Sequence, residues 1–328
     1  MMENTMSQNG IIYGYYIEKG QYEVITSLAE LPDYTDRSGF IWLHIDQDSP
    51  SAMEYFERES SIPDFIVAEL LSEDTRPRVI QYMDGLILIL RSLNMDKGEG
   101  FEDMISLHIL IENNRIITLR SDRLQVIQDI GESIRNKKGP YTQGDLLNEI
   151  VAGITSGIRE YIFELEESVE RFEDEILNDE NDNIRNELRE TRKNIIQISK
   201  YLNPQKGALN DFDTQKCTWL DYTQRSHFNE NIEKTFRAID ELVIIKERAA
   251  LLQEELNNSS REMMNQTMYV LSIVGAIFLP LSFLVGLFGI NVGGIPGSKS
   301  QMAFGVFCVI MLIIGVIEFL LFKKNKWI

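Results

Sequence analysis

Apolar residues between positions 11 and 120 fall in short runs rich in β-branched side chains: IIYGYYI at 11–17, FIWLHI at 40–45, RVIQYM at 78–83, LILILRSL at 86–93, ISLHILIE at 105–112 and RIITLR at 115–120. Runs of that length and content predict strands. Asp84-Gly85 and Asn113-Asn114 separate two pairs of them, which predicts hairpins. SAMEYFERE and DFIVAELL carry helical spacing, so residues 1–143 read as an α/β (α+β) domain.

From about Gly144 the strand signals stop and long charged helices take over, with a break expected near Asn203-Pro204. The stretch 144–267 is expected to hold acidic helices and a long stalk helix that starts near Thr223 and meets no Pro or Gly before Gly275. Its seam advances in alternating steps of four and three: Ile232, Phe236, Ile239, Val243, Lys246, Ala250, Gln253, Asn257, Ser260, Met264. That spacing predicts a face packed against neighbouring helices, and the face turns small and polar along its course.

Residues 268–288 then read MYVLSIVGAIFLPLSFLVGLF, 21 uncharged residues. At roughly 1.5 Å each they make about 31 Å of helix, enough to cross a bilayer. Residues 302–322, MAFGVFCVIMLIIGVIEFLLF, match them in length, and the Gly-rich stretch 289–301 reads as a hairpin loop. Lys323, Lys324 and Lys326 mark 323–328 as a basic tail, which the positive-inside rule places in the cytoplasm, and two crossings put the N-terminal body there too. The first thirty residues show no signal-peptide core, so the expected location is the cytoplasmic membrane.

Continuing the stalk seam into the first span gives Met268, Leu271, Gly275, Leu279, Ser282 and Gly286, with polar Asn291 beyond. Small residues on one face commonly mark close helix packing. Joined to a polar seam on one side and an amide on the other, they also suit a water-filled path, provided several copies of the chain enclose it.

The formal charge of −19 excludes a nucleic-acid binder of the usual basic kind. Cys217 and Cys308 lie far apart and suggest no disulfide framework, and His44, His108 and His227 are scattered. The acidic run Glu160, Glu164, Glu166, Glu167, Glu170, Glu173, Asp174, Glu175, Asp179, Glu180 and Asp182 reads as a solvated helix face, or in an oligomer as an anionic collar that draws in cations. Residues 293–300 nearly spell a phosphate-binding loop, but they join two membrane spans, so no nucleotide and no cofactor is expected. No constellation for nucleophilic or acid–base catalysis appears, so an enzyme is not expected.

Gly289-Ile290-Asn291 resembles the Gly-Met-Asn signature of the CorA superfamily of divalent-cation transporters, and the resemblance covers the whole chain. The string FLPLSFLVGLFGINVGGIPG and the ending FKKNKWI are similar to its zinc-handling ZntB branch. The resemblance implies a funnel-shaped homopentamer in membrane lipid, with the first span lining the pore and the second outside it. It puts the pore positions on Met268, Leu271, Gly275, Leu279, Ser282 and Gly286, and the selectivity filter on Gly289, Ile290 and Asn291. Asn291 would hold a hydrated cation transiently through its amide oxygen. Zinc is the implied cargo, with entry coupled to protons; Glu318, the lone charge within a span, is either a proton carrier or an interfacial side chain that snorkels or pairs with Lys323 or with a lysine of a neighbouring copy. The loop VGGIPGSKSQ lacks an acidic residue and carries Lys299, which removes one means of concentrating cations at the mouth. A magnesium, cobalt or nickel channel of the same superfamily, and a membrane-tethered binding or scaffold protein, are the alternatives.

Overall fold

The computed structural model describes residues 10–34, 36–58, 60, 62–72, 76–83, 85–93, 104–120, 123–177, 183–289 and 302–324. Seven strands form one sheet: β1 (Ile11–Glu18), β2 (Gln21–Val24), β3 (Phe40–Asp46), β4 (Arg78–Tyr82), β5 (Gly85–Leu93), β6 (Met104–Glu112) and β7 (Arg115–Arg120). Their order is β2-β1-β3-β7-β6-β5-β4. All neighbours are antiparallel except β3 and β7. The two expected hairpins form, with Tyr82 opposite Gly85 and Glu112 opposite Arg115. β2 is an addition to the expected strands; QYEV is short, polar and mostly exposed, and its pairing follows from the turn. Lys19 (φ 50°) and Gly20 (φ 78°) give the two positive dihedrals that a right-twisted two-residue hairpin requires.

Helices α1 (Pro50–Arg58) and α2 (Asp64–Leu70) cover one face of the sheet. Ala52, Phe56, Ile66 and Leu70 pack there against Leu43, Ile45, Ile89, Leu110 and Leu119. Trp42, His44 and Thr118 lie on the opposite face and are fully buried. α3 (Gln125–Arg135), also unanticipated, packs against α4 (Gln143–Leu177), while α4 and α5 (Ile184–Asp211) meet the sheet at β5.

The break expected at Asn203-Pro204 is absent, because α5 runs through Pro204. A proline inside a helix costs about 3 kcal/mol through its lost hydrogen bond and ring clash. Burial of Leu202, Ala208 and Leu209 around it, and a hydrogen bond of 2.6 Å from the Arg91 amide to Gln205 Oε1, offset that cost.

α6 runs from Tyr222 to Gly289, and α7 from Ala303 to Lys324. Both are long and apolar enough to cross a membrane. Two compact units divide the chain, Met1–Gln253 and Glu254–Ile328, and the second consists of the C-terminal part of α6 together with α7. The expected junction at 267/268 therefore falls inside one helix.

Candidate functional site

In the first unit, α6 buries Phe228, Ile232, Thr235, Ile239, Leu242, Ile245, Ala249 and Leu252, a row at three- and four-residue spacing. This corrects the expected seam. Ile232 and Ile239 are buried as anticipated, but Val243, Lys246 and Ala250 are exposed, one position round the helix from the buried row. Both rows fit the same period. The buried one is wholly apolar over 242–252, whereas its neighbour would have taken the Lys246 ammonium out of water.

The acidic face of α4 is partly neutralised from α6. Arg248 donates to both carboxylate oxygens of Glu173, at 3.0 and 2.8 Å, and lies 3.6 Å from Glu166 and 3.8 Å from Glu170. The guanidinium holds the Glu173 carboxyl below the usual range. Arg171 bridges Glu175 and Glu187 in the same way. Glu160, Glu164, Glu167 and Asp174 are exposed and make no ion pair among the described residues. Asp179, Glu180 and Asp182 lie outside the described residues.

In the second unit, α6 and α7 touch through Phe288 and Phe307, whose ring centroids are 5.3 Å apart. A Cβ on Gly315 would sit 4.0 Å from Leu281 Cδ1, an ordinary van der Waals contact, so the two helices face each other there with room for a small side chain. Ile273, Ile277, Leu281 and Leu284 on α6, and Phe307, Met311, Ile314, Gly315, Glu318 and Phe322 on α7, are among the partly covered positions. Their four-and-three spacing is a signal of this contact that the sequence itself carries.

All six candidate pore positions stand outside that contact. Met268 is 59% exposed, Leu271 70% and Leu279 73%. Gly275 and Gly286 have no atom within 4 Å of where a Cβ would stand. The Ser282 hydroxyl is exposed and makes no hydrogen bond among the described residues, unlike Ser272, which donates to the Met268 carbonyl at 2.7 Å. One face of the span thus presents small side chains and an unengaged hydroxyl and has no partner within the chain's described residues. Gly289 is the last residue of α6, while Ile290 and Asn291 lie outside the described residues.

Glu318 lies on the side of α7 that meets α6. Its Oε2 is enclosed without a hydrogen-bond partner, and it forms no ion pair with Lys323 or Lys324 among the described residues. Among the described residues no group of three His, Cys, Asp or Glu side chains could hold an ion. His44 and His108 are buried on opposite faces of the sheet.

A mixed-sheet domain leading through a long helix into a two-helix membrane unit defines the class of this protein: a polytopic membrane protein with a large N-terminal body. Residues 37–324 match the family described as CorA-like Mg2+ transporter protein. The chain belongs to that family and is a divalent-cation transporter, not an enzyme. It is 31% identical over 332 residues, spanning 98% of both chains, to the divalent cation transporter CmaX of Pseudomonas aeruginosa. It is 29% identical, again over 98% of both, to the zinc transport protein ZntB of Pectobacterium carotovorum. Its fold matches the structure of full-length CmaX with a TM-score of 0.83 at 29% identity, over 97% of this chain and 98% of that one. The complete CorA magnesium transporter of Methanocaldococcus jannaschii shares the fold with a TM-score of 0.78 at 20% identity, over 96% and 99% of the two chains.

Proposed function

We propose that this protein carries zinc into the cell across the cytoplasmic membrane, through a pore formed by five copies of the chain and driven with the help of a proton gradient. The observation that carries the reading is the uncovered α6 face of Met268, Leu271, Gly275, Leu279, Ser282 and Gly286. Two helices cannot enclose a water-filled path, so a face of this kind needs further copies to complete it. The similarity to proteins named for zinc transport supports zinc as the cargo.

In this reading Gly289, Ile290 and Asn291 form the outer filter, where a ring of amide oxygens holds the cation through its water shell. Such weak, oxygen-only contacts allow release. Leu271 and Met268 form an apolar constriction that gates by dewetting. Glu318 is the proposed proton-linked group. The exposed carboxylates of α4 raise the local cation concentration within a Debye length, an effect that salt screens. Both termini face the cytoplasm, as Lys323 and Lys324 at the end of α7 favour.

Metal uptake into sealed liposomes tests the reading, with zinc compared against magnesium and with or without an imposed pH gradient. Zinc uptake that rises with the gradient is the expected result. Magnesium uptake with little zinc would move the protein to the magnesium, cobalt or nickel channels of the family. No uptake of any cation by assembled protein would leave the membrane helices as an anchor.

A further inference from the structure

The proposed path is lined by hydroxyl, amide and apolar groups, with one chemically different feature. Met264 and Met268 are four residues apart on α6, so they lie on the same side of the helix, one turn above the other. They are 58% and 59% exposed, and nothing in the second unit covers them. Met263, although 66% exposed, points about 100° away round the helix and is not part of the pair.

Thioethers are soft, uncharged donors, poor ligands for magnesium or zinc and good ones for d10 monovalent ions such as Cu(I) and Ag(I). Positions four apart on a helix place their Cβ atoms about 5–6 Å apart. A linear two-coordinate ion needs its sulfurs separated by twice a metal–sulfur bond of roughly 2.3 Å, or about 4.6 Å. Three flexible torsions per methionine bring the two sulfurs to that separation without moving the backbone.

We infer that Met264 and Met268 form a thioether site for a soft monovalent cation, Cu(I) or Ag(I), at the N-terminal end of the first membrane span. Each chain supplies a complete pair, and neighbouring copies in a ring would add further sulfurs to the same ion. A bound ion sits on the face proposed to conduct, so it obstructs zinc flux. That consequence rests on the proposed pore; the binding does not.

Equilibrium dialysis of silver nitrate against the purified full-length protein in chloride-free detergent buffer tests the site, with Ag(I) as the redox-inert probe. The background is Cys308→Ser, because the exposed Cys308 thiol would compete. Cys217 remains in every variant; it is buried, and burial pushes its thiol up to about 11. Met264→Leu and Met268→Leu conserve volume and should each weaken silver binding at least about tenfold. Met302→Leu, on an exposed methionine at the start of α7, should leave it unchanged. Binding that stays within about twofold in both α6 variants, or that falls equally in Met302→Leu, overturns the site. Selective loss of silver binding in a protein that shows no zinc flux at all would overturn the pore and leave the thioether site standing.

Discussion

His44 lies in a buried hydrogen-bond cluster with Thr118, which also meets Trp42 and Leu43. The Thr118 hydroxyl donates its single proton to the Leu43 carbonyl at 3.2 Å and accepts from Trp42 Nε1 at 3.1 Å. The same hydroxyl lies 2.9 Å from His44 Nδ1. Nε2 is left enclosed and without a partner. Burial, reinforced by the Arg120 charge, pushes the imidazole well below its ordinary value of 6.5. His108 is lowered for the same leading reason, with Arg78 and Arg91 adding to it. As pH falls below 6.5 the unfolded chain takes up protons at both positions while the folded one does not, so their contribution to stability is present above 6.5 and lost below it. Glu149 works in the opposite sense: burial, then the Asp145 charge, raises it to about 7, so the folded state gains protons first as pH falls. A comparison isolates the histidine. Between pH 7 and 5, urea midpoints should fall further for the native protein than for His44→Gln, and parallel curves would contradict the assignment. The sequence showed a histidine inside a strand run but no sign of its state, because Thr118, which bonds its ring, and Tyr13, which stacks on it, come from other strands.

α6 shows what spacing reveals and what it leaves open. Steps of four and three announce a packed helix, and the helix is there, but two adjacent rows satisfy the same steps. Leu242, 1% exposed, is buried, whereas Val243 at 45% is not. Leu242→Ala should therefore cost about 2–5 kcal/mol in denaturant unfolding, and Val243→Ser in the unassembled chain about 0.5 kcal/mol. The reverse order would restore the row expected from sequence. Pro204 teaches the complementary point: a local breaker is overruled by tertiary contacts such as the Arg91–Gln205 hydrogen bond, which no local pattern encodes. At the other end of the chain, α6 and α7 meet at Gly315, where a Cβ would lie 4.0 Å from Leu281. Gly315→Ala should be tolerated and Gly315→Leu should separate the helices. Crosslinking between cysteines placed at Leu284 and Met311 would read this, with equal yields in both variants counting against the packing.

For the whole molecule, the two helices able to cross a membrane were legible because each is local in the chain. The proposed path could be read only as a face, since a pore of this kind belongs to several copies and one chain supplies one side of it. Asn291→Ala should sharply reduce cation passage while leaving assembly intact, because it removes an amide from the mouth and no packing from the core. Undiminished zinc flux in that variant would remove the filter assignment. Raising ionic strength should slow uptake at low zinc by screening the α4 carboxylates, and a salt-independent rate would show that they do not steer ions.

The most direct measurement follows from the exposed hydroxyl at Ser282. In a Cys308→Ser background, Ser282→Cys protein in liposomes is treated with a water-soluble, positively charged thiol reagent while zinc uptake is followed. If the α6 face lines the path, uptake stops as the new thiol reacts, and the same treatment of Leu312→Cys, exposed on α7, leaves uptake unchanged. Continued flux through protein fully modified at position 282 would show that cations do not pass along this face.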